Sequence, residues 1–302
     1  MKTNLTPKKF ELPAAKLCFP VKYPDADKIK YGRTLVIAGS KNIYGAAFFA
    51  AKSALMSGAG MVRVFTHIRN RLPLTRDIPE AMFSFYGPVV HKQALINSLK
   101  WADTVVIGPG LSVGHSAQRL LELTLKNIKK NTILVIDADA LNVLSRSERL
   151  LELLISLTGN NYCKCVITPH KGELGRLKKA LKIVDFGDDE ASLHIYNNYK
   201  IYVVRKGGPT VVFGEDVFEN TTGNEGMATA GSGDVLSGIL GGVLFRTKES
   251  PLSLGVAFSV FLHGICGDLA ASEMNSISVT ATDIMKRIPD ALSFIENYGE
   301  TP

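Results

Sequence analysis

The feature that most constrains this chain is a repeated pattern, in which a short run of β-branched residues leads into a glycine-rich or polar turn. The pattern recurs at 34–39, 103–110, 132–144, 164–174 and 201–208. Four of these runs are almost continuously apolar, which is typical of parallel strands that are covered on both faces. Residues at helical spacing join the first run to the strand-like "MVRVF" and predict a βαβ unit. The sequence therefore predicts an α/β fold with a mainly parallel sheet.

The pattern changes after Lys206. The segments "TVVFGED" and "VFENTTGN" predict an antiparallel pair with a turn at 214–216. Apolar residues at helical spacing then predict three helices, at 234–245, about 252–274 and 282–296. Because no linker rich in Pro, Gly or Ser divides the chain, we expect a loose N-terminal arm over 1–30 and a single domain over 31–302.

Charge argues against a nucleic-acid partner. The chain has 35 basic and 28 acidic residues, a net charge of +7, but the basic residues are not concentrated on one face. Groups such as "KNIKK" (126–130) and "RLKKALK" (176–182) fall near the ends of predicted helices, where cations face water. We therefore expect small anionic ligands and no nucleic acid.

The cysteines and the apolar segments indicate where in the cell the protein is located. Four cysteines without the spacing of a zinc site are too few for a disulfide framework at this length, so we expect reduced thiols and a cytoplasmic location. The N-terminal residues contain no apolar region typical of an export signal. The longest apolar stretch, 255–271, is interrupted by His263 and Asp268, so we expect no membrane span.

One segment combines a turn of small residues with a carboxylate at the start of a helix: "NEGMATAGSGDVLSG" at 224–238. The first amides of a helix lack partners and carry partial positive charge, so Gly231, Ser232 and Gly233 are candidates for an anion hole. Asp234 has two readings, a favourable first-turn residue or a general base. An acidic side chain at an anion site would repel a phosphate, so a general base that accepts a proton from a hydroxyl during phosphoryl transfer explains Asp234 better than a first-turn residue does. No Walker motif is present.

The chain resembles the NAD(P)H-hydrate dehydratases of the ribokinase-like superfamily across about 230 residues. The matching segments, in order, are "GSKNIYGAAFFAAKSALMSGAGMVRVFT" (39–66), "IPEAM" (78–82), "IGPGLS" (107–112), "VIDADALNVL" (135–144), "ITPHKGEL" (167–174), "RKGGPTVV" (205–212), "GNEGMATAGSGDVLSGILGG" (223–242) and "FLHGICGD" (261–268). The resemblance implies a ribokinase-like three-layer α/β/α fold. It also implies repair of the S form of hydrated NADH or NADPH (NADHX or NADPHX), through phosphorylation of a ring hydroxyl and loss of phosphate.

The resemblance also implies the co-substrate, the metal and the assembly. Bacterial members use ADP and eukaryotic members ATP; the short chain without a fused epimerase domain looks bacterial, so we expect ADP rather than ATP. Mg²⁺ is the expected metal, with no ligands identified, and a homotetramer is expected by analogy.

Matching positions carry the expected roles, with Asp234 as the catalytic base. The nucleotide contacts would be Lys206, Gly207, Gly208, Pro209, Thr210, Asn224 and Gly233. The contacts to NADHX or NADPHX would be Ala46, Gly110, His170 and Asp234. The chain departs from the family pattern at Ser112, Lys171 and Arg205, where a glycine, a proline and an aliphatic residue are usual.

Other readings of these residues stay open. His170 is also a candidate helix-start residue satisfied by local backbone, or a metal ligand with Glu173. Lys206 is also a candidate solvated turn residue, and His263 a core histidine. Asp137 and Asp139 diverge around a strand end and are interpreted as loop-shaping or magnesium-water contacts.

Two alternative functions also stay open. One is a ribokinase-like kinase of a small molecule such as a vitamin alcohol, which would share the turn and its aspartate. The other is a nucleotide-binding regulator without turnover.

Overall fold

The computed structural model describes residues 6–23, 25 and 27–299, and its centre is a ten-stranded sheet. In spatial order the sheet runs β1-β10-β9-β8-β7-β6-β5-β2-β3-β4. The strands are β1 (Lys8–Phe10), β2 (Arg33–Ile37), β3 (Met61–His67), β4 (Met82–Tyr86), β5 (Thr104–Ile107), β6 (Ile133–Ile136), β7 (Lys164–Ile167), β8 (Ile201–Arg205), β9 (Val211–Phe213) and β10 (Val217–Asn220).

Strands β2 to β8 are all parallel, and only the β8–β9 and β9–β10 pairs are antiparallel among the described strands. The predicted mainly parallel sheet is therefore confirmed, as is the antiparallel pair with its turn at 214–216. All four residues of β5 and of β6 are buried, which explains why these strands read as continuous apolar runs.

Helices cover both faces of the sheet, so the predicted three-layer α/β/α fold is confirmed. Successive strand residues point to opposite faces: Val106 packs into one core, and Val105 and Ile107 pack into the other. The helices are α1 (Leu12–Leu17), α2 (Gly45–Met56), α3 (Arg71–Asp77), α4 (Lys92–Trp101), α5 (His115–Asn127), α6 (Asp139–Leu144), α7 (Glu148–Gly159), α8 (Lys171–Ala180), α9 (Asp188–Tyr199), α10 (Ser232–Val243), α11 (Leu252–Glu273), α12 (Ala281–Lys286) and α13 (Ile288–Glu296).

Helix α10 packs on α2 at very short range, because small residues face each other at the contact. A Cβ atom on Gly238 would lie 2.3 Å from the backbone oxygen of Ala50, and one on Gly242 would lie 2.5 Å from that of Ala54. The two glycines and the two alanines are each four residues apart, so each pair lies on one helix face. Any larger side chain would separate the helices and move the N-terminus of α10.

The N-terminal arm is not loose, contrary to the expectation. Strand β1 pairs in parallel with β10, and Phe10 is 1% exposed against the rings of Phe218 and Phe261. Burial of this aromatic ring favours the ordered arm. Residues 1–5 of the arm lie outside the described residues, and the division of the chain at residue 30 stays a prediction.

The single helix predicted at 282–296 is wrong. Two helices, α12 and α13, meet at Arg287, and Pro289 is the second residue of α13. Proline has no amide hydrogen and clashes with the carbonyl group four residues earlier, so a helix cannot continue through it without a break.

Helix α11 confirms the helix predicted at about 252–274. It is long and apolar enough to cross a membrane by length and composition, with a mean hydropathy of 1.6. However, 78% of that window is buried inside the protein, as expected of a core helix.

Candidate active site

The site is built around the first turn of α10, at the carboxyl edge of the parallel strands. Gly231 precedes the helix with a φ of +91°, and a Cβ atom there would lie 2.9 Å from the ring of Phe49. Both observations require glycine. The amide of Ser232 donates to the oxygen of Thr229 at 3.3 Å, whereas those of Gly233 and Asp234 have no backbone acceptor among the described residues. Of the predicted anion-hole residues, Ser232 thus has its amide already paired, while the free amides of Gly233 and Asp234 and the positive end of the helix dipole are available to an anion. Binding of an anion at this turn stays a prediction.

Asp234 has the properties of a general base near neutral pH. Its burial, together with the nearby negative charge of Asp137, raises its pKa from 3.8 to about 7, although Lys206 opposes the shift. A carboxyl group with a pKa near the working pH combines a useful ionised fraction with sufficient basicity to accept a proton.

A buried ion pair lies beside this turn. The Lys206 ammonium is 2.9 Å from Asp137, which is 1% exposed, and 3.9 Å from Glu173. Burial alone would raise the pKa of Asp137, but the charge of Lys206 and hydrogen bonds from Lys206 and Ser237 hold it below its usual value. Lys206 is therefore not a solvated turn lysine.

The lysine also faces the anion site. A Cβ atom on Gly233 would lie 3.6 Å from the Lys206 Nζ atom, so the ammonium group is adjacent to the first turn of α10. Lys206 follows β8 and Asp137 follows β6, and β7 separates the two strands. The charged pair is thus brought together only by the strand order.

The other predicted nucleotide contacts lie in two shaped turns. After Lys206, the exposed turn contains Gly207, Gly208 and Pro209 and closes where Thr210 donates to the oxygen of Gly207 at 2.9 Å. The side chain of Asn224 donates to Asp268 at 2.9 Å and accepts from the amide of Gly226 at 3.0 Å. Beyond it a cavity of about 540 Å³ lies between 225–229 and 276–279.

The predicted dinucleotide contacts Ala46 and Gly110 are neighbours. A Cβ atom on Gly110, which has a φ of +62°, would lie 2.8 Å from the Cβ atom of Ala46. In the same loop, the Asp139 carboxylate accepts from the amide of Ser112 at 2.8 Å, which confirms the loop-shaping reading of Asp139. Ser112 itself has a φ of +64°, and this explains why glycine suits that position.

His170 caps α8. Its Nδ1 atom accepts from the amide of Gly172 at 2.9 Å, and Glu173 accepts from the amide of His170 at 2.9 Å. The interpretation of His170 as a helix-start residue is therefore confirmed. Its side chain is 56% exposed, and its Nε2 atom lies 3.4 Å from a carboxylate oxygen of Glu173. Lys171 occupies the first position of the helix, where proline is favourable. The described residues contain no group of three or more His, Cys, Asp or Glu side chains suited to a metal, so nothing supports the metal-ligand reading of His170.

His263 is a core histidine, as predicted, but it also contacts the site. It is 9% exposed, and its Nε2 atom lies 3.3 Å from the Ser232 hydroxyl oxygen. Burial lowers its pKa to about 4, so the ring is neutral at physiological pH. This contact holds the Ser232 side chain and leaves the helix amides beside it available. The link between His263 and Ser232 and the pairing of Asp137 with Lys206 were not predicted, because each depends on positions distant in sequence.

Comparison with known proteins confirms the resemblance. Residues 34–290 match the NAD(P)H-hydrate dehydratase family. The ADP-dependent (S)-NAD(P)H-hydrate dehydratase of Listeria monocytogenes is 31% identical over 283 residues, which cover 93% of this chain and 94% of that protein.

A bifunctional NAD(P)H-hydrate repair enzyme of Thermofilum pendens is 33% identical; the match covers 93% of this chain but 54% of that protein. A solved ribokinase-like protein of Enterococcus faecalis superposes with a TM-score of 0.81 at 28% identity, covering 97% of this chain and 99% of that one. The chain therefore belongs to the NAD(P)H-hydrate dehydratase family.

Proposed function

We propose that this protein restores NADH or NADPH from the S form of NADHX or NADPHX, with ADP as the phosphoryl donor in preference to ATP. The observation that carries the proposal is Asp234, a carboxyl group with a pKa of about 7 beside two free helix amides and Lys206. The family and the ADP-dependent relative from Listeria support the substrate and the donor.

The first step is phosphorylation of the ring hydroxyl. Asp234 accepts the hydroxyl proton while the hydroxyl oxygen forms a bond to the terminal phosphorus of the nucleotide, and the bond from that phosphorus to the leaving AMP breaks. The amides of Gly233 and Asp234 stabilise the negative charge on the transferring group. Lys206 adds a positive charge next to it.

The second step is elimination. The ring carbon–oxygen bond breaks with release of inorganic phosphate, and the adjacent ring carbon loses a proton, which restores the ring double bond. The overall products are NADH or NADPH, phosphate and AMP, or ADP where ATP is the donor. The reaction is therefore that of a lyase driven by nucleotide cleavage.

The predicted ligand contacts divide into two groups around Asp234. Lys206 to Thr210 and Asn224 would hold the nucleotide, and the cavity between 225–229 and 276–279 offers room for its base. Ala46 and Gly110 would hold the hydrated dinucleotide, together with His170, which is linked to the Lys206 side through Glu173. This division lets the two substrates meet at the first turn of α10.

A magnesium ion carried by the nucleotide fits the site. Mg²⁺ usually keeps several water ligands and needs only one or two carboxylates besides substrate phosphates. Asp139 is close enough to Asp234 for their charges to interact, so it would supply such an oxygen atom to the ion or to its water ligands while Asp234 stays the base. The ion would neutralise phosphate charge.

We further infer that the protein is cytoplasmic and that it assembles as a homotetramer. The four cysteines are all free and buried, which suits a reducing compartment. Sedimentation at several protein concentrations tests the assembly.

One assay tests the function. The pure protein is incubated with the S form of NADHX, Mg²⁺ and either ADP or ATP, while the absorbance of reduced nicotinamide is followed. We expect recovery with both donors and a higher kcat/KM with ADP. A kinase of another alcohol would give no recovery, and a regulator would bind nucleotide without consuming it; either result would contradict the proposal.

A further inference from the structure

A second cavity, of about 530 Å³, opens at the far side of the Gly110 loop. It lies at the carboxyl ends of β2, β3, β4 and β5, and its walls come from 40–41, 67–69, 86–88, 111–112 and 114–117. None of the lining residues is an aspartate or a glutamate, and Ile68, Tyr86 and Pro88 provide an apolar part. The cavity is thus open to an anionic ligand with an apolar body.

Two cations in this cavity lack counterions. Within residues 6–23, 25 and 27–299, neither Lys41 nor Arg69 forms an ion pair or a side-chain hydrogen bond, and both are exposed. His67 stands between them in the wall, and its burial and the charges of Arg69 and Lys41 lower its pKa. His67 is therefore neutral, and the positive charge of the cavity comes from two unpaired side chains that face a common space.

The N-terminus of α5 adds to the positive electrostatic potential of this cavity. Helix α5 has 13 residues, and Gly114 precedes it without a side-chain cap. His115, Ser116 and Ala117 line the cavity with the first turn, so their amides contribute partial positive charge there. An anion in the cavity would meet cations on one side and helix amides on the other.

The cavity is continuous with the site of Asp234. It begins at Leu111 and Ser112, directly after Gly110, and the Ser112 hydroxyl oxygen lies 3.3 Å from that of Ser40. From β6, which is followed by Asp137, to β3, which is followed by Arg69, there are three strand spacings, or about 14 Å. A dinucleotide with its ring at Asp234 would therefore have to lie extended along the sheet edge to reach this cavity.

The geometry points to this cavity as the binding site for the phosphate-bearing adenosine half of the hydrated dinucleotide, with Lys41 and Arg69 paired to its phosphate groups. This inference rests on the proposed function. Two sources of phosphate share this chemistry: the pyrophosphate, which both substrates carry, and the 2′-phosphate, which only NADPHX carries.

The test is the double variant Lys41→Gln/Arg69→Gln, with Lys164→Gln/Arg146→Gln as the matched control. The control removes the same charge from two exposed residues, at the amino end of β7 and just after α6, that form no ion pair with any described residue. We measure kcat and KM for NADHX and NADPHX with ADP, and the affinity of the products NADH and NADPH by titration. Thermal unfolding confirms that both double variants are folded.

We expect KM and the product Kd to rise about ten- to a hundredfold in the double variant, with kcat within about twofold and the control unchanged. A rise for NADPHX and NADPH alone identifies the 2′-phosphate, and a rise for all four ligands identifies the pyrophosphate. Unchanged affinity for all four would overturn the inference. If the wild-type protein shows no turnover, the proposed function fails instead, and the NADPH titration still tests the cavity.

Discussion

At the α10 end of the sheet edge the charged side chains of Lys206 and Asp137 are paired and largely buried, whereas those of Lys41 and Arg69, which follow β2 and β3, are exposed and form no ion pair with any described residue. Lys206 is enclosed by Asp137 and Glu173. Burial and the charge of Asp137 raise the pKa of Asp234, while Lys206 opposes the shift. Lys41 and Arg69 face an open cavity. The first arrangement positions charges for a reaction, while the second leaves charge available for a ligand.

The largest effect is expected from a substitution that breaks the buried ion pair of Lys206 and Asp137. Lys206→Met leaves the Asp137 carboxylate without its cation, and removal of one partner of a buried pair costs about 3–5 kcal/mol. Urea unfolding measures the free energy. The double variant Lys206→Met/Asp137→Asn should recover part of the loss, and Lys41→Gln should change it by less than about 0.5 kcal/mol. Equal losses for Lys206→Met and Lys41→Gln would contradict the contrast between the two ends.

Asp234→Asn tests the chemical role of the buried end. We expect kcat to fall at least about a hundredfold, because the hydroxyl proton loses its acceptor. Nucleotide binding, measured by calorimetry, should be largely retained. The matched control is Asp185→Asn, an exposed aspartate, which should have wild-type kcat. Turnover of Asp234→Asn at the wild-type rate would remove Asp234 from the role of base.

The pKa of Asp234 predicts two opposite pH effects. The base must be ionised, so kcat/KM should fall as the pH decreases below about 7. Stability changes in the opposite direction. Because the pKa of Asp234 is raised from 3.8 to about 7 in the folded protein, stability is highest below about pH 4 and is lost as the pH rises to about 7. The shift would amount to about 4 kcal/mol, and solvent screening of a partly exposed carboxylate reduces the expected effect to about 1–2 kcal/mol.

Asp234→Asn should therefore be more stable than the wild type at pH values above about 8 and equally stable only below about pH 4, where the carboxyl group is protonated in both the folded and the unfolded state. Thermal and urea unfolding at both extremes measure this difference. A wild-type protein that is as stable as the variant in alkaline solution would show that the carboxylate is not destabilised by its surroundings.

The smallest expected effect lies in the Gly110 loop. Ser112 adopts a φ of +64°, so Ser112→Gly relieves backbone strain but gains unfolded-chain entropy and loses the contact with Ser40. These changes nearly cancel, and we expect a change in unfolding free energy within about 1 kcal/mol. A loss of several kcal/mol would show that the serine hydroxyl stabilises the loop strongly.

Local sequence patterns predicted most of the fold but failed where the decisive information was short or distant. Strand β1 has three residues, too few for a visible alternation, and its pairing partner lies more than 200 residues away. Strand β4 was not predicted, because it is a half-buried edge strand without a continuous apolar pattern. Pro289 is a local signal of the break between α12 and α13, but the prediction followed the helical spacing of the neighbouring apolar residues instead.

The candidate site, like the fold, was predictable where it depends on residues that are neighbours in the sequence. Asp234 and the small residues before it are adjacent in the chain, so their joint position at a helix start is visible in the sequence. The pairing of Asp137 with Lys206 is not visible in the sequence, because 69 residues separate the two. Contacts of Ala46, Gly110, His170 and the 206–210 turn with ligands stay predictions.

The sequence by itself determined the parallel sheet, the glycine turn before α10 and the carboxylate within its first turn, because these depend on local propensity and on the steric freedom of glycine. The tertiary structure decided the basicity of that carboxylate and the charge of the neighbouring cavity. Both depend on which distant groups approach and on how much water they exclude, because electrostatic energy varies with the distance between charges and with their burial.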